Sequence, residues 1–125
     1  MQYLLLIYED ETVYGPYKQG GEALNKIVAS HMAFGQSLGP RRLSGAGLKN
    51  TDAATTVRTG PGGAKTVHDG PFAETKEQLG GFYMIEAADL DEAIAMARQV
   101  PLISEGSVEI RPLLGQGEAK VAARA

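Results

Sequence analysis

The fold is decided by the stretch QYLLLIY at residues 2–8. In an extended strand the side chains alternate between two faces, so Tyr3, Leu5 and Ile7 point to one face. The residues between them, also apolar, point to the other. A strand that is apolar on both faces is covered on both sides. The stretch therefore predicts a central strand that needs two covering layers.

Outward from this strand, the pattern becomes helical over residues 21–38, and Gly39-Pro40 ends the helix. Its apolar stripe contains Leu24, Ile27, Val28, His31, Phe34 and Leu38. A second helix is predicted to begin after the N-cap Asp89, with Glu92 completing a capping box, and to end at Pro101. We expect its buried face to contain Leu90, Ala93, Ile94, Ala97 and Val100.

Strands are predicted at residues 43–48, 80–86 and 107–114, and a hairpin at 53–59 and 64–69 around the turn at 60–63. The order β-α-β-(β-hairpin)-β-α-β predicts an α+β, ferredoxin-like fold with two helices on one face of an antiparallel sheet. We read the first, fifth and sixth strands as apolar on both sides. The other sheet face then needs a cover, which is either the folded-back hairpin or, as we expect, a homodimer packed through sheet faces.

Composition excludes several classes of function. Twelve Lys and Arg against fifteen Asp and Glu give a net charge of −3, whereas nucleic-acid binders usually have a basic face. There is no cysteine, which excludes disulfides and thiolate zinc sites. No apolar run reaches membrane-spanning length, and the N-terminus does not resemble a signal peptide. We expect a cytoplasmic protein that binds neither nucleic acid nor membrane.

Two histidines and a rigid turn carry the possible chemistry. His31 lies on the helix stripe, where it is either a core histidine or a general acid/base at the edge of a pocket. His68 precedes a turn, where a structural role is the default. Asp69, before Gly70-Pro71, either caps backbone N–H groups or orients an imidazole. No metal, flavin, nicotinamide or haem motif is visible, so we expect no cofactor and no metal.

The chain also resembles a known family. The opening MQYLLLIY, the segment HMAF at 31–34, the run DGPFAETKEQLGGFY at 69–83 and the closing GSVEIRP at 106–112 are similar to the YCII-related, DGPF-domain family. The resemblance spans residues 1–114, which we take as the domain, leaving 115–125 as a C-terminal tail. It implies the dimeric α/β-barrel form of the ferredoxin-like fold. That superfamily includes small monooxygenases and lactone isomerases that bind substrate between helix and sheet.

The resemblance further implies a His–Asp acid/base pair, for which His31 matches the helix histidine and Asp69 is the nominated carboxylate. Tyr8 and Tyr83 are expected to wall the pocket. Glu74, Lys76 and Glu77 either flank its mouth or form a solvated face. Two functions remain open: a small-molecule enzyme of isomerase, lyase or cofactor-free oxygenase type, and a non-catalytic ligand-binding or regulatory module. The second follows from relatives found beside or fused to extracytoplasmic-function sigma factors.

Overall fold

A four-stranded antiparallel sheet forms the centre of the protein. The computed structural model describes residues 1–14 and 21–115. Within them the elements are β1 (Gln2–Glu9), α1 (Glu22–Leu38), β2 (Arg42–Gly47), β3 (Thr55–Thr59), β4 (Lys65–Asp69), β5 (Gln78–Glu86), α2 (Leu90–Ala97) and β6 (Gly106–Pro112). The part of the predicted tail from 116 to 125 lies outside the described residues.

The strand order in this sheet is β2-β5-β1-β6, and all three pairings are antiparallel. Each βαβ unit is thus split by a strand from the other half of the chain, as in a ferredoxin-like fold. The predicted fold class is confirmed. The β3–β4 hairpin forms its own two-stranded sheet, with Val57 paired to Val67.

The core lies between the helices and one face of this sheet. From β1 and β5, the residues Leu5 and Ile85 are fully buried, and they are joined by Tyr3, Ile7 and Tyr83. The helices contribute Ile27, Phe34, Leu38, Ala93 and Met96, and Val100 follows α2. Alternate residues of β1 therefore pack against the buried stripes of α1 and α2.

Both helices depart from the predicted pattern in detail. Val28, predicted on the stripe of α1, is 47% exposed. In α2 the Asp89 side chain accepts a hydrogen bond from Glu92 N at 2.9 Å, which confirms the N-cap. That helix ends at Ala97 rather than at Pro101, and Leu90 is exposed. Met96, three residues after Ala93, takes a buried position that the predicted face did not include.

The opposite side of the sheet, which we call the outer face, has an apolar centre. Leu4 pairs with Met84 and Leu6 with Phe82 across β1 and β5, and all four are half-buried. The prediction for the sixth strand was wrong, because its outer-face residues are Ser107, Glu109 and Arg111. The outer face is therefore apolar at its centre and polar along β6.

The hairpin does not use its apolar residues to cover a sheet. Val57 and Val67 are 63% and 68% exposed. They therefore do not pack against the outer face in this chain. Among residues 1–14 and 21–115, neither helix has the length and apolar character needed to cross a membrane.

Candidate functional site

A cavity of about 540 Å³ lies between α1 and the sheet. It is lined by residues of α1, β1, β2 and β5, among them Ile7, Ile27, Gly45 and Phe82. Small-molecule sites usually measure ~300–1,000 Å³ and are mainly apolar with a few polar groups. The cavity therefore has the size and lining of a site for a compact organic molecule.

His31 and Tyr83 meet at the wall of this cavity. The helical period places His31 one turn from both Ile27 and Phe34, so its ring faces the sheet. His31 Nδ1 lies 2.9 Å from Tyr83 Oη. The two rings are stacked, with centroids 5.8 Å apart and planes 27° apart. Phe34 contacts the Tyr83 ring edge-on with a centroid separation of 5.1 Å and so also restrains the tyrosine.

The Tyr83 hydroxyl also lies 3.3 Å from the backbone carbonyl oxygen of His31, to which it can donate. Both contacts are hydrogen bonds at once if Nδ1–H donates to Oη while Oη–H donates to that carbonyl. In this tautomer Nε2 is the unprotonated ring nitrogen, and it is the atom that can accept a proton. The arrangement can thus hold His31 as a base.

The surroundings keep Tyr83 in its phenol form. Burial raises the pKa of Tyr83, and the nearby positive charge of Arg42 opposes part of that rise. The Arg42 guanidinium carbon lies 5.8 Å from the centroid of the Tyr83 ring. A neutral phenol is a hydrogen-bond donor, so Tyr83 can support His31 without competing with it for a proton.

The other end of the cavity contains two carboxylates that already accept hydrogen bonds from the protein. Glu9, which is 6% exposed, accepts hydrogen bonds from Tyr14 Oη at 2.7 Å and Ile103 N at 2.9 Å. Burial and the Glu9 carboxylate raise the pKa of Tyr14. Glu11 accepts from both the backbone N and the hydroxyl of Thr51. These carboxylates therefore hold neighbouring segments of the chain together.

Sequence reasoning missed Glu9, Glu11, Tyr14 and Arg42. One signal was available for Glu9, because it occupies the next position after Ile7 on the buried face of β1. A carboxylate is seldom fully buried without a partner. The others depend on strand register and on contacts between distant segments.

Asp69 lies elsewhere, at the end of β4. It lines a second cavity of about 670 Å³ together with Glu74, whereas His31 lines the first. Glu11 and Gln78 line both cavities and form the boundary between them. The structure therefore brings His31 to Tyr83 and places Asp69 in the neighbouring hollow.

The remaining nominated residues are spread over the surface. Tyr8 projects from the outer face of β1, on the side away from the first cavity. Lys76 is exposed in the segment before β5. Glu77 accepts a hydrogen bond from Ser107 Oγ at 3.0 Å. His68 is exposed, with Nε2 3.5 Å from the Pro71 carbonyl oxygen. In the described part of the chain, no three His, Asp or Glu side chains are grouped as metal ligands would be.

The fold and the first cavity define an α+β protein with a ferredoxin-like sheet and a small-molecule-sized space beneath its first helix. The chain belongs to the YCII-related domain family, which matches residues 1–115. It is also 42% identical, over 120 residues, to an uncharacterised protein of Rhizobium meliloti (strain 1021), with 90% of this chain and 92% of the relative covered.

Proposed function

We propose that this protein is a small-molecule acid/base enzyme in which His31 moves the proton. The observation that carries the proposal is the 2.9 Å contact between His31 Nδ1 and Tyr83 Oη at the wall of the 540 Å³ cavity. A base must be held in one tautomer and must face a space that a substrate can enter. The reaction class is proton abstraction next to a carbonyl, as in isomerases, lyases and cofactor-free oxygenases.

The adjoining cavity, and not the hydrogen bond, separates this proposal from a purely structural histidine. A core histidine needs a hydrogen bond but no adjoining cavity. His31 has the bond and also lines a cavity together with Ile27 and Gly45. We therefore favour the functional interpretation.

Asp69 remains part of the proposal in a separate role. Because it lines the second cavity, it would act on a substrate or a loop at the shared boundary around Glu11 and Gln78. Glu74 belongs to the same hollow. That Asp69 orients His31 stays a prediction from the sequence, as do ligand contacts of Tyr8, Lys76 and Glu77. Replacing Asp69 by Asn tests the pairing through the tautomer and pKa of His31.

We also propose that the enzyme is a homodimer packed through the outer face. Leu4, Leu6, Phe82 and Met84 form an apolar patch there that the β3–β4 hairpin leaves uncovered. Burial of such a patch against a second copy would stabilise both chains. The cytoplasmic location stays a prediction from the sequence, and so does the expectation that purified protein carries no cofactor or metal.

The experiment uses two compounds, phenylpyruvate and phenylacetone, dissolved in D₂O. NMR follows the replacement of hydrogen by deuterium on the carbon next to the carbonyl group. We expect the wild-type chain to accelerate exchange in at least one compound. His31→Gln should reduce that rate by about 10²–10⁴-fold, the usual contribution of a general acid/base, with little change in the melting temperature.

Three results would count against this function. Wild-type protein that exchanges neither compound overturns the acid/base enzyme. Binding of the compounds without exchange favours the regulatory, ligand-binding alternative. A His31→Gln variant that melts much lower and still catalyses exchange identifies His31 as a core residue.

A further inference from the structure

Arg42 holds an unusual position at the first cavity. In β2 the register shifts between Arg42 and Ser44, so that Arg42 lies opposite Ile85 and Gly45 opposite Tyr83. Such a bulge re-aims the side chains around it. As a result Arg42 shares the helix-facing side of the sheet with Gly45, while Leu43 is left exposed.

The Arg42 side chain spans the gap between the sheet and α1. Its guanidinium lies over Tyr83, and its Nη2 is 3.4 Å from the Gly45 carbonyl oxygen. On the other side, its stem packs near Gly35 of α1, where an added Cβ would be 3.4 Å from Arg42 Cδ and Nε. The guanidinium therefore lies on the wall of the cavity, beside the His31–Tyr83 pair.

Arg42 is exposed, and in the described residues no carboxylate forms an ion pair with its guanidinium. Ion pairs there join the N-terminus to Glu86, Lys26 to Glu22 and Arg41 to Glu92. The hydrogen bond of Arg42 to Gly45 is long and uses one of the five N–H donors of a guanidinium. Arg41, the adjacent residue, has an equally long hydrogen bond to Leu38 O but also forms an ion pair with Glu92.

The carboxylates that line the cavity, Glu9 and Glu11, have other partners than Arg42 in the described residues. Glu9 and Glu11 accept hydrogen bonds from Tyr14, Ile103 and Thr51. They cluster near Gln78, with Glu9 opposite it in the sheet. Gln78 is five residues from Tyr83 along β5, or about 17 Å at ~3.4 Å per residue. The two carboxylates therefore lie toward the end of the cavity away from the tyrosine ring that Arg42 overlies.

Between the two ends the wall is apolar. Ile27, Val28 and Met32 of α1 line the cavity, and Val28 and Met32 keep 47% and 63% of their surface exposed. An apolar ligand body would bury these side chains, with its anionic end at Arg42.

We propose that Arg42 recognises the carboxylate of the ligand, and that the ligand is a small carboxylic acid with an apolar, aromatic-sized body. Arginine presents a planar fork of donors that matches a carboxylate. This assignment rests on the proposed function, because it places the carboxylate beside the His31–Tyr83 pair and so presents the adjoining carbons to the base.

The test compares binding of 3-phenylpropionate with that of its neutral amide, 3-phenylpropanamide, by calorimetry. We expect the acid to bind wild-type protein more tightly than the amide. Arg42→Gln should weaken binding of the acid by about 10–100-fold, the value of a hydrogen-bonded charge pair. The same substitution should leave binding of the amide unchanged. Arg42→Lys should bind the acid with an affinity between those of the wild-type chain and Arg42→Gln. Added NaCl should weaken binding of the acid but not of the amide.

Arg41→Gln is the matched control, because it removes a neighbouring positive charge that is already paired, and it should leave acid binding unchanged. Equal wild-type binding of acid and amide, no binding of the acid, or equal losses for Arg41→Gln and Arg42→Gln would each overturn the proposal. Arg42-dependent binding of the acid without proton exchange would support this recognition while overturning the acid/base enzyme, so the two failures are distinguishable.

Discussion

At the scale of single residues, the geometry of the site depends on the contacts that fix the Tyr83 side chain. Tyr83 is packed edge-on by Phe34, stacked on His31 and overlain by Arg42. A phenol whose ring has three such contacts loses little further freedom when its hydroxyl bonds to the imidazole, and such preorganisation is what a catalytic pair requires. His31 therefore depends on Tyr83 for its orientation.

Tyr83→Phe removes the hydroxyl and keeps the ring. We expect a loss of about 1 kcal/mol in the free energy of unfolding, the net value of a typical hydrogen bond. We also expect a changed ¹⁵N tautomer signature of His31 and slower proton exchange. Tyr3→Phe is the control, because Tyr3 is a buried tyrosine of the same face whose hydroxyl lies 3.8 Å from the Met1 sulfur. An unchanged His31 spectrum in Tyr83→Phe would contradict the pairing.

Alkaline pH provides a second residue-scale prediction. Burial is the main cause that raises the pKa of Tyr14 and of Tyr83 above the ordinary 10.0. Above pH ~10 the unfolded chain loses these protons while the native chain keeps them. The native state then binds more protons, so stability present below pH ~10 falls as the pH rises through the folded pKa.

Urea unfolding at several values between about pH 8 and 11 measures this fall. Tyr14→Phe and Tyr83→Phe should each make the decline with pH shallower. A decline as steep in both variants as in the wild-type chain would show that other groups control it.

At the scale of elements, β2 shapes the site through a glycine. A Cβ at Gly45 would lie 2.9 Å from Tyr83 Cδ1 and 3.1 Å from Phe82 O. The first distance is shorter than real Cβ contacts, so the tyrosine ring occupies space that only glycine leaves. Gly47 lies on the same face of β2, and a Cβ there would meet nothing within 4 Å.

Gly45→Ala should therefore displace Tyr83 and cost about 1–3 kcal/mol, the usual range for overpacking. It should also weaken the His31–Tyr83 contact and reduce proton exchange. Gly47→Ala should leave both properties near wild type. Equal effects of the two substitutions, measured by thermal melting and by exchange, would refute this role of Gly45.

The helices and strands could be predicted from the sequence where neighbouring residues alone determine them. The alternation of β1 and the Asp89 cap depend on neighbouring residues, and both were found from the sequence. The bulge at Leu43 was not found from the sequence, because the register of β2 depends on its partner strand β5 and not on β2 alone. His31 was found through its helix stripe, whereas its contact with Tyr83 joins residues 52 positions apart, and Arg42 depended on that bulge.

At the scale of the whole molecule, the sheet is covered unevenly. Helices bury Leu5 and Ile85 fully on one side, whereas Leu6 and Phe82 stay half-buried on the outer face. A hydrophobic centre with a polar strand beside it has the anatomy of an interface core and rim. The outer face therefore has the character expected of a surface that a second copy covers.

We expect the wild-type chain to be a dimer of twice 13.2 kDa in light scattering at micromolar concentration. Leu6→Asp should give monomer or insoluble protein, because a buried unpaired charge costs several kcal/mol. Leu90→Asp is the control, since Leu90 is an exposed leucine of α2, and it should remain dimeric. Leu6→Ala removes apolar surface without adding charge and should raise the dissociation constant even if Leu6→Asp fails to fold. A wild-type monomer would overturn the dimer outright, since the apolar centre of the outer face would then be stable in water without a partner.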